Sequence, residues 1–485
     1  MKSSIKITTL LSTLLMNFAY AKSNKPYYNK KEILSETHWN DMNVFNNAPS
    51  HLSVISQGRF DEGLYGKYDK NYYYPASGGE GIDVYMFDNG FNFTYEEFSD
   101  VNAKIEVMIE NGKVTKPMSN KVYLNSNDPN HGSLTSIALA GKTLGVAKKV
   151  NIHGVCLVYK EYSKDNFEFV LDGIIAWLEY FKKNNLINPH KTVFNFSLCG
   201  AAHVDEFNYN EKYRKAQNLI NEISEMGVVF VAAAGNFGIQ SYDEKIDMVI
   251  FPCAFDNVIC VGGATNFNIT GLVNDEIDSS YYTVGKFNKD INSNYGSHVD
   301  IYAPFTYHYH GELMNDQSSQ AFGIDESKFE VEDTEYGKLF KNVDILLPGT
   351  SISSPIVAGV AATLMSEYPE KKFTSKSMLE YLTEIGEKDI IQGVPEGCSN
   401  VFINNGKKIV YDADTETELD DSFLSENDQN LSSDSEVEVD SDSVMTTADN
   451  QSDVESENVM IVDNKSDLKL KKVMTKKRRC YVHNI

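Results

Sequence analysis

One serine and one histidine lie in sequence settings that suit nucleophilic catalysis. Ser351 lies in the sequence Gly-Thr-Ser-Ile-Ser-Ser-Pro, where Gly349 would let a substrate backbone come close and a small-residue helix of low polarity is predicted to follow. The N-terminus of such a helix favours developing negative charge. Because a hydroxyl is a weak nucleophile at its own pKa, it needs an adjacent base. His131, in the sequence Asn-His-Gly-Ser ahead of a predicted small, apolar helix over residues 134–140, is the best candidate for that base.

A carboxylate and an amide complete this set of side chains. Asp88 begins an Asp-Asn-Gly turn directly after a β-forming run over residues 81–87, and it could orient the imidazole and stabilise its charged form. Asn236 follows the apolar run over residues 227–234 and offers a side-chain amide to an oxyanion. Each of these residues alone is common in turns and helix caps. Their joint order along one chain, all at element boundaries, predicts acyl transfer by a Ser-His-Asp triad.

The segments around these residues alternate between strand-like and helix-like patterns. Strands are predicted over residues 81–87, 150–159, 191–198 and 227–234, and helices over residues 166–182 and 211–226. Continuous apolar strands separated by amphipathic helices indicate an α/β fold, a doubly wound, mostly parallel sheet with helices on both faces. Ligands of such folds bind at the carboxyl ends of the strands, where Asp88 and Asn236 are predicted to lie.

The four segments resemble those of subtilisin-like serine proteases (subtilases), most closely the fungal proteinase K type. The Asp-Asn-Gly at Asp88 resembles the family's Asp-Thr-Gly or Asp-Ser-Gly, and the His-Gly-Ser at His131 resembles its His-Gly-Thr. The strand before Asn236 resembles the family's oxyanion-asparagine strand, and the sequence around Ser351 resembles Gly-Thr-Ser-Met-Ala-Ser-Pro. The resemblance spans residues 49–406. The order Asp, His, Ser is that of subtilisin and not that of chymotrypsin or the α/β-hydrolases.

The resemblance implies a serine endopeptidase that hydrolyses peptide bonds through an acyl-enzyme intermediate. Ser351 would attack, His131 would take and return the proton, and Asp88 would orient His131. The Asn236 amide and the Ser351 backbone N–H would hold the oxyanion. The implied partners are protein or peptide substrates, and no cofactor is required. Structural calcium is common in the family, but no calcium site or other metal site is recognisable in the sequence.

The resemblance also assigns residues to substrate binding. Ser197, Leu198, Cys199 and Gly200 resemble the Ser-Leu-Gly-Gly strand with which a substrate backbone pairs. Cys199 replaces a glycine there and would intrude on the specificity pocket. Phe237 would lie near the floor of that pocket and favours apolar P1 side chains, since no acid is recognisable there to pair with a basic one.

The chain departs from the family in its connecting segments. Residues 22–48 are too short for a folded propeptide domain and are predicted to be a short pro-segment or N-terminal extension. Residues 266–294 and 306–346 are longer and more polar than the matching family connections, and they are predicted to be surface insertions. The catalytic domain is predicted to span residues 49–408.

The two ends of the chain differ in composition from this domain. Residues 1–21 have a positive start, an apolar run and a final Ala-Tyr-Ala, which is the order of a secretory signal peptide. Residues 409–464 are acidic and rich in Ser and Asn, and they are predicted to be a disordered tail. Residues 465–485 are a basic end, and the basic run at 476–479 is a processing site, a polyanion contact or a solvated terminus.

Charge and hydropathy limit the partners of the protein. The formal net charge of −25 argues against nucleic-acid binding by the body of the protein, because phosphate contacts need Lys and Arg. No stretch after the N-terminus is apolar enough to predict a membrane span. Secretion would expose the six cysteines to an oxidising compartment, and their spacing does not fix any pairing. The oligomeric state stays open.

Two other functions remain open from the sequence. One is a catalytically inactive subtilase that serves as a secreted binding module, suggested by the short pro-segment and by Cys199. The other is a secreted acidic protein whose tail carries the function. A lipase or esterase would need a Gly-x-Ser-x-Gly elbow, which the chain lacks because Ser353 stands at the last place.

Overall fold

A computed structural model of the chain describes residues 28–58, 68–124, 129–158, 167–266, 287–314 and 329–411. The predicted signal peptide, most of the acidic tail and the basic end lie outside the described residues. The helices of the described residues are α1 Lys30–Thr37, α2 Ser50–Ser53, α3 His131–Ala140, α4 Glu168–Lys183, α5 Val204–Tyr209, α6 Glu211–Glu225, α7 Thr350–Glu367 and α8 Ser375–Ile385, with short 3-10 helices at Val54–Ser56, Glu96–Phe98 and Pro369–Lys371.

The strands of the described residues are β1 Met42–Phe45, β2 Tyr72–Pro75, β3 Asp83–Asp88, β4 Phe91–Asn92, β5 Asn102–Glu110, β6 Lys113–Thr115, β7 Val122–Tyr123, β8 Asn151–Val158, β9 Thr192–Phe196, β10 Gly200–Ala202, β11 Val228–Ala233, β12 Tyr242–Asp243, β13 Met248–Phe251, β14 Val258–Thr265, β15 Phe287–Lys289, β16 Ile301–Pro304, β17 Thr306–Met314, β18 Glu330–Thr334, β19 Gly337–Pro348, β20 Glu387–Lys388, β21 Ile391–Gln392 and β22 Val401–Phe402. Lys30–Val410 belongs to one compact unit. The other described residues, Tyr28, Asn29 and Tyr411, belong to a second unit, in which the Tyr411 hydroxyl donates to the Asn29 carbonyl at 3.2 Å.

A large sheet forms the centre of the first unit, in the order β20-β22-β16-β14-β11-β9-β3-β8-β5-β6. The strands from β22 to β5 pair in parallel, whereas β20 and β6 close the two ends antiparallel. The four predicted strands are β3, β8, β9 and β11, which lie side by side. Their interior residues are almost wholly buried, as expected of parallel strands covered on both faces.

Alternation along β3 shows that helices cover both faces of the sheet. Tyr85 points to the side of α4, where its ring lies 5.1 Å from that of Phe181. Asp88, at an odd spacing from Tyr85, points to the opposite side, where α3 packs. On that side a side chain on Gly132 of α3 would collide with the Gly90 carbonyl, which explains why a glycine follows His131. The predicted α/β fold with helices on both faces is confirmed.

Helix α7 runs against the middle of the sheet, in contact with β9, β11, β14 and β16. Nearly all of its residues are buried, and most of them are small or apolar. A helix that is apolar all round belongs inside a protein, because it has no face suited to water. Ser351 is the second residue of this helix, so the interior of the domain holds it in place.

The described residues of the segment 306–348 form a three-stranded antiparallel sheet in the order β17-β19-β18, which we call the inserted sheet. The sequence predicted a polar surface insertion here, and that prediction is wrong for β17 and β19. Tyr307, Tyr309 and Leu347 are buried, so one face of the sheet is part of the interior. The alternation of apolar and polar residues in β17 and β19 was the signal for this half-buried arrangement.

The segment at residues 30–48 folds with the domain. Ile33 of α1 is fully buried, and β1 pairs with β2. Asn40 donates to the Glu367 carboxylate at the end of α7, and the Glu36 carboxylate accepts the backbone N–H of Lys408 and of Ile409 at 2.9 and 3.1 Å. These contacts bind the first part of the domain to its last part.

Two of the cysteines form a disulfide bond, Cys253–Cys260, which the sequence spacing did not predict. Among the described residues, none of the helices combines the length and the apolar character needed to cross a bilayer.

Candidate active site

Asp88 and His131 meet at the carboxyl end of β3. The imidazole Nδ1 lies 2.7 Å from Asp88 Oδ1, and both side chains are buried. Oδ1 also accepts the Asn89 backbone N–H at 2.7 Å, and Oδ2 accepts the Thr135 hydroxyl at 3.2 Å. The carboxylate is therefore held on both oxygens, and it fixes one edge of the imidazole. The sequence predicted a helix over residues 134–140, whereas α3 begins at His131 itself.

Ser351 lies at the N-terminal end of α7, and α3 packs against α7. The Ser351 side chain is buried, and its hydroxyl has no hydrogen-bond partner among the described residues. The chain reaches it through Gly349, whose φ of +148° is a conformation that side chains disfavour. A side-chain Cβ at Gly349 would also lie only 2.9 Å from Ser351 Oγ, so two independent effects require glycine here.

The orientation of the Asn236 side chain follows from its contacts with Thr350. Asn236 Oδ1 accepts the Thr350 backbone N–H at 2.8 Å and the Thr350 hydroxyl at 2.9 Å. A backbone N–H can only donate, so it must face the oxygen of the amide and not its nitrogen. The Asn236 NH₂ group is thereby directed away from Thr350.

Three groups converge on the space beside Gly349. A point at ideal Cβ distance from this glycine lies 2.9 Å from Ser351 Oγ, 3.3 Å from Asn236 Nδ2 and 3.7 Å from the Ser351 backbone nitrogen. One hydroxyl and two N–H donors therefore surround the same small volume. Such an arrangement can hold an oxygen that gains negative charge next to an attacking hydroxyl.

Asn294 supports this arrangement from behind. Its side chain is fully buried, donates to the Ala234 carbonyl at 2.8 Å and accepts the N–H groups of Phe237 and Ile239 at 3.0 and 3.2 Å. It thus holds the turn that carries Asn236. Sequence reasoning missed Asn294, Thr135 and Thr350, because hydrogen bonds between distant segments leave no local pattern.

The predicted substrate-binding residues lie next to the nucleophile. Ser197 donates to the Ser351 carbonyl at 2.9 Å, which ties the segment after β9 to α7. Leu198 and Cys199 are buried and lie between β9 and β10, and Gly200 begins β10, opposite Phe251 of β13. Ser197 is thereby brought to the nucleophile, and the role of residues 197–200 in substrate binding stays a prediction.

Phe237 lies one residue after Asn236 and is partly buried. Its backbone N–H donates to Asn294 Oδ1 at 3.0 Å. Its role in a specificity pocket stays a prediction.

Cys156 lies directly across from Asp88 in the parallel pairing of β3 with β8. Burial raises the pKa of the Cys156 thiol well above its ordinary value, and the Asp88 charge adds to the rise. The thiol is therefore neutral, and it places no second charge beside the carboxylate. No group of three or more His, Cys, Asp or Glu side chains within the described ranges is arranged to hold a metal ion.

Comparison with known families agrees with this geometry. The sequence profile of the Subtilase family matches residues 79–389, which contain Asp88, His131, Asn236 and Ser351. The chain belongs to the subtilase family. The match covers well over half of the chain and includes all the strands of the central sheet except β21 and β22.

Two curated relatives illustrate the similarity of this subtilase to fungal proteins. It is 31% identical over 343 residues to the subtilase-type proteinase RRT12 of Saccharomyces cerevisiae, covering 69% of this chain and 55% of the yeast protein. It is 27% identical over 391 residues to alkaline protease 2 of Aspergillus fumigatus, covering 77% of this chain and 63% of that protein. The chain thus spans somewhat over half the length of these relatives. Among solved structures, a cold-adapted subtilisin-like serine proteinase aligns with a TM-score of 0.48 and 21% identity, over 74% of this chain and 98% of that one.

Proposed function

We propose that this subtilase is a serine endopeptidase that hydrolyses peptide bonds by acyl transfer. The observation that carries the proposal is the convergence beside Gly349, where the Ser351 hydroxyl and two N–H donors face one small volume. A substrate carbonyl oxygen at that position would gain hydrogen bonds as its carbon is attacked. Membership of the subtilase family and the buried Asp88–His131 pair support the same reaction.

Each of the four side chains has a role in the proposed steps. Ser351 Oγ attacks the carbonyl carbon while His131 accepts its proton, and Asp88 stabilises the resulting imidazolium. The tetrahedral oxygen accepts from Asn236 Nδ2 and from the Ser351 backbone N–H. Collapse expels the amine, which takes the proton from His131. Water then repeats the sequence on the acyl-enzyme and releases the acid, which restores the Ser351 hydroxyl.

Substrate would lie as an extended strand beside residues 197–200, where main-chain hydrogen bonds supply affinity and pockets supply selectivity. We propose that apolar P1 side chains are preferred. Phe237 offers an aromatic wall, and Ala233 and Ala234 contribute an uncharged buried surface. Cys199 narrows the space that a glycine would leave. Cleavage of a peptide library mainly after Lys or Arg would contradict this preference.

We further propose that the protein acts in the secretory pathway or outside the cell. The signal-peptide pattern of residues 1–21 supports this location, and so does the Cys253–Cys260 disulfide, since such bonds persist in oxidising compartments. A variant that lacks residues 1–21 should then remain inside the producing cell, whereas the full-length protein should leave it.

The deciding experiment is labelling of the purified protein with a fluorophosphonate probe, followed by mapping of the modified residue. We expect the probe to modify Ser351, because in the proposed mechanism His131 activates that hydroxyl alone. Ser351→Ala should abolish labelling and proteolysis. Ser353→Ala is the matched control, since the neighbouring Ser353 hydroxyl is buried and bonded to the Pro304 carbonyl at 3.0 Å. Labelling should survive in this control.

The same assay separates the other two functions. A folded wild-type protein that is not labelled would favour the inactive binding module. Deletion of residues 412–485 should leave labelling and proteolysis intact, and loss of both would instead point to a function of the tail.

A further inference from the structure

The inserted sheet is bonded to the segments that carry Ser351 and His131. Strand β19 runs directly into Gly349 and Ser351, and its last residue, Pro348, is paired with Thr306 at the start of β17. Gly349 N–H also donates to the Phe305 carbonyl at 2.7 Å. The inserted sheet is thus continuous with the segment that presents the nucleophile.

At its other end, β17 is bound to Asn130, the residue before His131. Asn130 Nδ2 donates to the Met314 carbonyl at 2.9 Å, and Asn130 Oδ1 accepts the Met314 N–H at 3.1 Å. The side chain therefore pairs with Met314 as the edge of a neighbouring strand would. The Tyr95 hydroxyl donates to the same Oδ1 at 2.7 Å and itself accepts the Met314 N–H at 3.0 Å, so Asn130, Tyr95 and Met314 form one hydrogen-bonded cluster around the fully buried Asn130.

This use of Asn130 is unusual for its position. Asn130 is the N-cap residue of α3, and its carbonyl accepts the Leu134 N–H. Asparagine at an N-cap commonly uses its side chain to accept an N–H of the first helical turn, which stabilises the helix. Here no such bond is present, and the side chain is committed to Met314 instead. Helix α3 therefore has no side-chain cap, and the Asn130 side chain attaches its start to the inserted sheet.

A second contact joins the same strand to the same helix. The Tyr307 hydroxyl, buried at the other end of β17, donates to the Leu134 carbonyl in the first turn of α3 at 3.0 Å. Farther along, the Glu312 carboxylate accepts the Glu96 N–H at 2.9 Å. The first turn of α3, which carries His131, is therefore held on two sides by one strand of the inserted sheet.

We propose that Asn130 is a positioning residue that acts through His131, and that the inserted sheet keeps the base in register with the nucleophile. The inference rests on the proposed function. It assigns the sheet a role in catalysis, because one rigid element is bonded to the segments carrying both reacting groups. Errors of about 1 Å in such positions lower rates by about 10²-fold, so a single buried attachment has a measurable effect.

The test compares Asn130→Ala with Asn404→Ala. Asn404 is an equally buried asparagine that pairs with backbone in the same way, through the Gln57 carbonyl at 2.8 Å and the Gly406 N–H at 2.7 Å. We expect both variants to melt at lower temperature than the wild type. Only Asn130→Ala should lower kcat, by about 10- to 100-fold with KM changed less than about twofold, because the base is displaced while substrate contacts remain.

Asn130→Ser provides a second variant in case Asn130→Ala does not fold. Serine is a favoured N-cap residue and so supports the start of α3, but its short side chain cannot make both bonds to Met314, so we expect a fall in kcat of at least about threefold. A wild-type kcat in the folded fraction of either Asn130 variant overturns the inference while leaving the proposed function intact. If the wild-type protein itself neither cleaves peptides nor reacts with the fluorophosphonate probe, the proposed function falls, and the inference falls with it.

Discussion

The two halves of the candidate site differ in how many of their hydrogen-bonding groups are already used. In the acid–base half, both oxygens of Asp88 accept hydrogen bonds, from Asn89, Thr135 and His131. In the nucleophile half, the Ser351 hydroxyl has no partner among the described residues. A buried polar group without a partner costs stability. Under the proposed function, the first half sets geometry and the second leaves the Ser351 hydroxyl available to the substrate.

Removing the nucleophile should give the largest effect and should separate stability from activity. We expect Ser351→Ala to lower kcat by about 10⁴- to 10⁶-fold. The melting temperature should stay the same or rise by about 2 °C, because a buried hydroxyl without a partner is removed. Peptide hydrolysis and thermal unfolding measure the two quantities. A marked fall in melting temperature would show that the hydroxyl is bonded in the native protein, which would break the contrast between the two halves.

Asn236 has one group of each kind. Its oxygen already accepts hydrogen bonds from Thr350, its NH₂ group is proposed to bind the oxyanion, and two substitutions separate these roles. Asn236→Asp keeps the oxygen that accepts from Thr350 and loses the NH₂ donor, whereas Asn236→Leu loses both. We expect kcat to fall by about 10²–10³-fold in each, with little change in KM, since the donor acts on charge present only in the transition state. The melting temperature should fall clearly only in Asn236→Leu. Retention of kcat in its folded fraction would reduce Asn236 to a turn residue.

Thr135 tests the acid–base half, where we expect a smaller kinetic effect. Thr135→Val preserves the shape of the side chain and removes the hydroxyl bonded to Asp88 Oδ2. This hydroxyl lies 3.2 Å from Asp88 Oδ2 and 3.1 Å from the Gly132 carbonyl, so its removal should lower the melting temperature. We expect kcat to fall only about tenfold or less, because Asn89 and His131 still hold Oδ1. Thr135→Ser retains the hydroxyl and serves as the control, and it should keep most of the activity.

The smallest effect concerns Cys156, which lies beside Asp88 in the sheet. Only the thiolate reacts with alkylating reagents, and the raised pKa of this buried thiol leaves almost none at pH 8. We therefore expect iodoacetamide at pH 8 to modify Cys398, which is partly exposed, and to spare Cys156. Mass spectrometry of the tryptic peptides measures both. In denaturant the two cysteines should react alike, and equal reaction in the folded protein would contradict the prediction.

The central sheet was predictable because its signal is local. The runs that form β3, β8, β9 and β11 are continuous and apolar, and such runs require burial on both faces wherever they occur. The helix boundary at His131 was missed by three residues, because the sequence Asn-His-Gly-Ser suits a turn as well as a first helical turn. Glycine weakens a helical pattern, and here it is required by the close approach of the Gly90 carbonyl.

The candidate site was predictable only in part, for a related reason. Side chains at the ends of parallel strands are brought to one edge of a sheet, which is how Asp88 and Asn236 could be chosen. The residues that hydrogen-bond to Asp88 and Asn236 could not be predicted from strand ends. Asn294 is 60 residues from Ala234, with which it is hydrogen-bonded, and Thr350 is 114 residues from Asn236. The sequence pattern of one segment does not predict its contact with the other. The inserted sheet was predicted to be a surface insertion because the segment is rich in polar residues, although apolar residues alternate with them in β17 and β19.

The contact between Glu36 and the last residues of the domain constrains when the protein can finish folding. The hydrogen bonds of Glu36 cannot form before Lys408 and Ile409 are present, and these residues are synthesised 372 and 373 residues later. Asn40 likewise waits for Glu367, 327 residues on. Since chains fold from the N-terminus as they emerge from the ribosome, helix α1 has no complete docking surface until translation of the domain is nearly over. These contacts therefore form only after nearly all of the domain has been translated.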